Sequence, residues 1–364
     1  MGNIRVNLKK TEDKSYNIII ADGVLDQIPS RIKEAGLGHK FAIITDSNVE
    51  TLYAGDLSEG FKKNNLENKI ISFPAGEQNK SREIKAWIED QMLENKFGRD
   101  SAVIALGGGV VGDIAGYVAA SYTRGLPYVQ IPTTLVACVD SSIGGKTAVD
   151  TPHGKNLIGA FHQPWAVFID VNTLLTLSEK EIREGLAEVI KYGVISDSAL
   201  FSFLEGNMDL IFSYNKGALT HIIKRGCEIK AEVVEKDERE SNLRKILNFG
   251  HTIGHAVENL SDYKISHGEA ISIGMVAEGK LAVEMDLWKE SDLNKLINLI
   301  KKAGLPTDIP DYMKAEQIID AMKLDKKSRS GNIEMVLPNR IGDMTQVDGS
   351  YGIKIEEPII EKVI

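Results

Sequence analysis

SAVIALGGGVVGDIAGYVAAS, residues 101–121, is the stretch whose reading decides the fold. After Ser101, Ala102 to Leu106 form a continuous apolar run of the kind that a strand buried on both faces requires, and from Val110 to Ser121 the period becomes helical. Between the two stand Gly107, Gly108 and Gly109. A glycine run there lets the backbone approach a ligand closely, and the helix N-terminus that follows favours an anion. An isolated glycine run is as readily a tight turn. Placed between a buried strand and a helix, it reads as a pyrophosphate cradle.

The same alternation continues outward. YNIIIA (16–21), KFAIIT (40–45), KIISF (69–73) and YVQIP (128–132) read as strands, and 24–35, 49–63 and 81–95 as helices. The pattern predicts an α/β domain with a largely parallel, Rossmann-like sheet whose ligands gather where the strands end. Those ends carry Asp46-Ser47-Asn48 and PAGEQNKS (74–81). Asp46 suits ribose hydroxyls, although Asp is common in any strand-to-helix turn. Residues 132–156 are dense in polar groups, with Lys146, Lys155 and Asn156 beside glycines and hydroxyls. Such a set suits a phosphate ester and a polyol, and a loop of about 25 residues inside a compact domain is unusual unless functional.

After Asp170 the character changes. Helical periodicity marks 174–193, 198–204, 216–234, 248–260, 268–285 and 291–303, and strand signals return only at 333–337. The chain therefore divides into an α/β domain, 1–171, and a mostly helical domain, 172–364, with a cleft between them. LNFGHTIGHAVENLSDYKISHGEA (247–270) holds three of the seven histidines. On one helix Asn248, His251 and His255 share a face, so spacing pairs His251 with His255, while His267 follows a polar turn. In REGLAEVIKYG (183–193), Glu184, Glu188 and Lys191 share a face, and a Glu with two His is a common catalytic zinc set. Spacing does not choose between Glu184 and Glu188. Thr252 stands where the HExxH motif puts its general-base Glu, which argues against proteolysis.

Composition sets the limits. The 364 residues allow two domains, and 43 Lys plus Arg against 52 Asp plus Glu give a net charge of -9, which disfavours nucleic acid as the main partner. Two cysteines, Cys138 and Cys227, suit a reducing cytosol. No apolar run of membrane-spanning length occurs, and the first residues carry neither a signal core nor, with Val6, a myristoylation motif. The expected location is cytoplasmic.

PAGEQNKS, ALGGGVVGDIAGYVAASYTRG, QIPTTLVACVDSSIGGKTAVDTPHGKNLIGAFHQP, REGLAEVIKYG, KAEVVEKDERESNLRKILNFGHTIGHAVE and HGEAISIGMV occur in this order. Together they resemble the 3-dehydroquinate synthases, within the sugar-phosphate cyclases, from Asp46 to at least Lys327. The resemblance implies an NAD-binding domain followed by a helical domain holding zinc, or cobalt, on Glu188, His251 and His267, with His255 turned to substrate. It assigns NAD to Asp46, Asn48, Glu77, Lys80, Gly108, Gly109, Val110, Asp113, Thr133, Thr134 and Lys155. It assigns substrate to Asp140, Lys146, Asn156, Lys191, Lys230, Glu240, Arg244, Asn248, His255 and either Lys326 or Lys327, the first being preferred. Arg124 would reach the phosphate in the neighbouring subunit of a homodimer. Cys138 and Asp150 depart from the family pattern, which has Gln and Asn there.

The activity so implied is conversion of 3-deoxy-D-arabino-heptulosonate 7-phosphate to 3-dehydroquinate and phosphate, a lyase reaction of the shikimate pathway in which NAD is recycled. A guanidinium binds a carboxylate bidentately, so Arg244 favours this substrate over sedoheptulose 7-phosphate or glucose 6-phosphate, which lack one. The alternatives are another sugar-phosphate cyclase, a metal-dependent polyol dehydrogenase, or a catalytically inactive NAD- or metal-binding module.

Overall fold

The computed structural model describes residues 13–262, 264–324 and 333–364. Six parallel strands form the main sheet: β1 (Asn17–Ala21), β2 (Lys40–Asp46), β3 (Glu67–Phe73), β4 (Ser101–Gly107), β5 (Tyr128–Pro132) and, beyond a hairpin, β8 (Ala166–Asp170). Their order is β1-β8-β5-β4-β2-β3. β4 is buried along its whole length between apolar layers on the two faces of the sheet. That position explains why its residues do not alternate with polar ones. Helices α1 (Ile28–Ala35), α2 (Ser47–Val49), α3 (Gly55–Lys63), α4 (Arg82–Glu94) and α5 (Gly109–Ser121) follow strands as the alternation predicts. The helix expected over 49–63 is broken by a π-helical turn, Glu50–Ala54.

The polar stretch 132–156 is not a loop. A π-helical turn, Ala137–Ser141, leads to an antiparallel hairpin of β6 (Lys146–Thr151) and β7 (Gly154–Phe161). Gly116 of α5 makes room for it, since a Cβ there would meet Thr147 Cγ2 at 2.4 Å. Leu135, Cys138 and Val139 turn away from the sheet into the core of the helical half. The two halves thus share a packed seam, and the side chains of the intervening residues line it.

The helical half comprises α6 (Glu179–Ile195), α7 (Ser198–Phe212), α8 (Lys216–Lys236), α9 (His251–Leu260), α10 (His267–Glu284), α11 (Glu290–Lys302) and α12 (Ala315–Leu324). Near the C-terminus β9 (Ile333–Met335) pairs with Ile353–Ile355. α9 starts later than the periodicity predicts. Residues Leu243–Asn248 form a 3-10 turn and Gly250 takes φ 80°, so Asn248 does not lie on the helix face of His251 and His255. α9 and α10 cross closely because both are glycine at the crossing. A Cβ on Gly274 would fall 1.9 Å from the Gly250 carbonyl oxygen, and one on Gly254 2.9 Å from that of Ala270.

Candidate active site

The close crossing brings the first residues of α9 and α10 together, facing the middle of α6. His251 Nε2 lies 3.4 Å and His267 Nε2 3.3 Å from Glu188 Oε1. Glu188 is 1% exposed and ion-paired through its other oxygen with the equally buried Lys191. Spacing left Glu184 and Glu188 open. The fold sends Glu188 to the histidines and Glu184 to the start of α10, where it accepts the Gly268 N–H at 2.6 Å.

These three side chains fit a divalent cation. Their ligand atoms all lie within 4.8 Å of one another. Ligands about 2.0–2.1 Å from a tetrahedral ion stand roughly 3.3 Å apart. The outer nitrogens are held as in metal sites, with His251 Nδ1 3.1 Å from the Phe249 carbonyl oxygen and His267 Nδ1 3.7 Å from Glu258 Oε2. Burial, with Lys191 nearby, pushes His251 down to about 3, so its Nε2 lone pair is available. Burial also opposes charge on His267, but Glu188 and Glu258 outweigh it and carry the imidazole up to about 10.

His255 groups with Glu258 and His267 rather than joining Glu188. Its ring centroid is 5.2 Å from that of His251 and 6.2 Å from that of His267. The pairing of His251 with His255 suggested by spacing is therefore corrected by the fold, which groups His251 with His267 and Glu188.

On the sheet side, Asp46 caps α2, its Oδ1 accepting the N–H of Asn48 at 2.9 Å and of Val49 at 3.0 Å, and Asn48 is exposed. Gly108 and Gly109 open α5. A Cβ on either would meet Thr134 Cγ2 at 3.2 Å or Ser141 Oγ at 3.1 Å, so the cradle has no space for side chains. Val110 is half-buried beside it. Thr133 Oγ1 is buried without a protein partner, a donor aimed at this strand end. Lys80, 5% exposed, bridges Asp113 at 2.5 Å and Asn156 Oδ1 at 2.6 Å. Lys155 joins the halves: its Nζ lies 3.1 Å from Glu77 and 2.8 Å from Glu258 of α9.

Between these sets lie the substrate candidates. Lys230 donates to Asp140 Oδ1 at 2.7 Å, as does the Tyr192 hydroxyl, also at 2.7 Å. Burial works against the Asp140 carboxylate, but Lys230 beside it holds it down to about 2. Lys146 pairs with Glu240, which also accepts from Asn248. Arg244 is 2% exposed and donates to the carbonyls of Glu238 and, at 3.3 Å, Gly144. Gly144 must be glycine for this, because a Cβ would lie 2.4 Å from Arg244 Nη2. The sequence reading missed Tyr192 and Gly144. Only their places beside Lys191 and Gly145 signalled them.

The Asp150 carboxylate accepts the Asn156 N–H at 2.8 Å, and Cys138 is buried with its thiol 3.7 Å from the Pro132 carbonyl. Arg124 is exposed at the end of a 3-10 turn and lines a groove of about 1000 Å³ with Tyr16, His162 and Trp165, sharing no residue with the Glu188 cluster. Lys326 and Lys327 lie outside the described residues.

Comparison with known families agrees with this geometry. The 3-dehydroquinate synthase N-terminal model matches residues 70–184 and the C-terminal model residues 185–328. A 3-dehydroquinate synthase of Thermodesulfovibrio yellowstonii is 50% identical over 345 residues, 94% of this chain and 95% of the relative. One of Nostoc punctiforme is 45% identical over 364 residues, 99% and 98% of the two chains. The chain belongs to the 3-dehydroquinate synthase family. Solved structures place this 3-dehydroquinate synthase family member among the sugar-phosphate cyclases. A 2-deoxy-scyllo-inosose synthase complexed with carbaglucose-6-phosphate, NAD+ and Co2+ superposes with TM-score 0.87 at 28% identity, covering 95% of each chain. The 2-epi-5-epi-valiolone synthase of Streptomyces hygroscopicus subsp. jinggangensis, with NAD+ and Zn2+ bound, gives TM-score 0.88 at 29% identity, covering 99% and 98%. An NADH-dependent butanol dehydrogenase of Thermotoga maritima, covering 98% of this chain and 97% of its own, shares the fold alone, at TM-score 0.71 and 16% identity. No described helix is long and apolar enough to cross a membrane.

Proposed function

We propose that the protein is a 3-dehydroquinate synthase, a carbon-oxygen lyase that converts 3-deoxy-D-arabino-heptulosonate 7-phosphate into 3-dehydroquinate and phosphate. The observation that carries this is the convergence of Glu188, His251 and His267, within 4.8 Å, in a chain that belongs to this family. These three would hold zinc or cobalt. NAD would lie on Asp46, Asn48, Glu77, Lys80, Gly108, Gly109, Val110, Asp113, Thr133, Thr134 and Lys155. The division into 1–171 and 172–364, a cytoplasmic location and a homodimer belong to the same reading.

Once bound, the cation would supply Lewis acidity toward substrate hydroxyls, and NAD would supply a hydride acceptor. The protein's own residues do the rest by position and charge. Lys146, Asn156, His255 and Arg124 of a second copy, with Lys326 as the resemblance assigns it, would surround the phosphate and stabilise its charge as it leaves, while an oxygen of that phosphate takes the C6 proton. Asp140 keeps Lys230 oriented by their 2.7 Å hydrogen bond, and with Lys191 this keeps cationic groups at the polyol. Glu240 and Asn248, linked to each other, order the hydroxyls on the far side. Arg244, buried at the hairpin entrance, is the group that recognises a carboxylate.

The test is phosphate release by metal-stripped protein after zinc or cobalt is added back, with NAD equimolar to enzyme. The heptulosonate should release many phosphates per NAD, and sedoheptulose 7-phosphate and glucose 6-phosphate none. Release from either of those instead of the heptulosonate assigns another cyclase activity and overturns the reading. Net NADH formation from glycerol, with no phosphate release, assigns a polyol dehydrogenase.

A further inference from the structure

His251 and His267 each stand at the first residue of a helix. A side chain at that position takes its place and direction from the helix start, where unpaired N–H groups need acceptors. At four other helices the acceptor is local: Ser81, Ser178, Asp197 and Asn215 each cap their own helix. At α9 the N-cap is Gly250, which has no side chain to offer. Its N–H groups are taken by Glu278, from the far part of α10. Glu278 Oε2 accepts from Gly250 at 2.6 Å, and Oε1 from Thr252 at 3.1 Å and Ile253 at 3.3 Å.

The start of α10 has its own capping box, in which Glu269 accepts the Ser266 N–H at 2.9 Å, and a distant acceptor besides. Glu184, one turn before Glu188 on α6, accepts the Gly268 N–H at 2.6 Å and the Ser266 hydroxyl. Gly268 lets the two backbones meet, since a Cβ there would lie 2.6 Å from the Glu184 carbonyl oxygen. The arrangement closes on itself: α6 carries Glu188 and fixes His267, and α10 carries His267 and fixes His251. Glu278 is 0% exposed, and a carboxylate so buried is a costly way to hold a helix end. It is compensated by three charge-assisted bonds, all within two residues of His251.

We propose that Glu278 and Glu184 are positioning residues that set where the imidazoles of His251 and His267 stand relative to Glu188. This rests on reading Glu188, His251 and His267 as a metal set. Each carboxylate acts through a helix start rather than by touching the cation or substrate. Replacing Glu278 by Gln keeps the size but puts an amide N–H among backbone N–H donors, and replacing Glu184 by Leu removes the acceptor of the Gly268 N–H, so the helix start must shift and the ligand with it.

Cobalt(II) titration of the metal-free full chain tests this, read by calorimetry and by the visible absorption of the bound ion, with circular dichroism and Tm as controls. Glu278→Gln is expected to bind cobalt about 10- to 100-fold more weakly, with displaced absorption bands. Glu184→Leu, at a half-buried site, is expected to lose about 10-fold and carries the test should Glu278→Gln not fold. A purely structural role lowers Tm while leaving the spectrum and affinity of the folded protein unchanged. That result in both folded variants, with wild type binding cobalt and His251→Ala abolishing it, overturns this inference and leaves the metal set standing. Wild type that binds no cobalt overturns both.

Discussion

The sheet half and the helical half are built by different means. On the sheet side the proposed ligand positions come from the backbone: Gly108 and Gly109 sit where β4 ends and α5 begins, and Asp46 sits at the corresponding end of β2. Neighbours in sequence are neighbours in space. On the helical side, Glu188, His251 and His267 come from three helices, and each depends on an acceptor or a glycine contact from another. The first kind of site survives wherever the strand-turn-helix unit survives, whereas the second exists only when the whole helical half is packed.

The largest effect should separate the sides outright. Glu188→Ala removes a proposed metal ligand and strands Lys191 without its buried partner, so turnover should fall by at least about 1000-fold. NAD binding, followed by fluorescence quenching, should stay within about twofold, because surface and site changes far from the cradle add independently. Loss of NAD binding as well would show that the two sides do not separate.

Gly109→Val makes the converse break. Its Cβ would lie 3.1 Å from Ser141 Oγ, filling the cradle. Overpacking of this size costs about 1–3 kcal/mol, so NAD should bind about 10- to 100-fold more weakly while cobalt affinity stays as in wild type. Unchanged NAD affinity would remove the glycine run from the nucleotide site.

A smaller effect is expected at the residue that belongs to both sides. Lys155→Met breaks the links to Glu77 and Glu258, and through Glu258 it reaches His267. NAD and cobalt affinities should each fall by about 3- to 10-fold, the range of coupling between groups in one network. A change confined to NAD would place Lys155 wholly on the sheet side.

How much was legible in the sequence follows the same division. β4, the glycines and α5 were readable because their signal is local, and the strands Tyr128–Pro132 and Lys40–Asp46 emerged nearly at their observed bounds. β8 was not read as a strand, since four apolar residues without alternation do not distinguish strand from helix. The hairpin at 146–161 looked like loop because its order comes from pairing and from Gly116 and Gly159, contacts that periodicity does not register. Spacing favoured His251 with His255 because a helix face is a local property. The partner that the fold supplies, His267, arrives across a turn; the sequence marked it as a third histidine nearby, and the family resemblance put it in place of His255. Glu278 left no trace at all, because what it recognises is backbone.

The bridge from Glu77 through Lys155 and Glu258 to His267 has a thermodynamic consequence. Each site measured with the other empty keeps its own affinity, but with both filled, sites joined by one set of charges are coupled, and linkage makes the coupling reciprocal. Whatever factor a cation at Glu188, His251 and His267 adds to the affinity for a nucleotide at the strand ends, the nucleotide must add to the affinity for the cation. Retention of one would then depend on the cellular supply of the other.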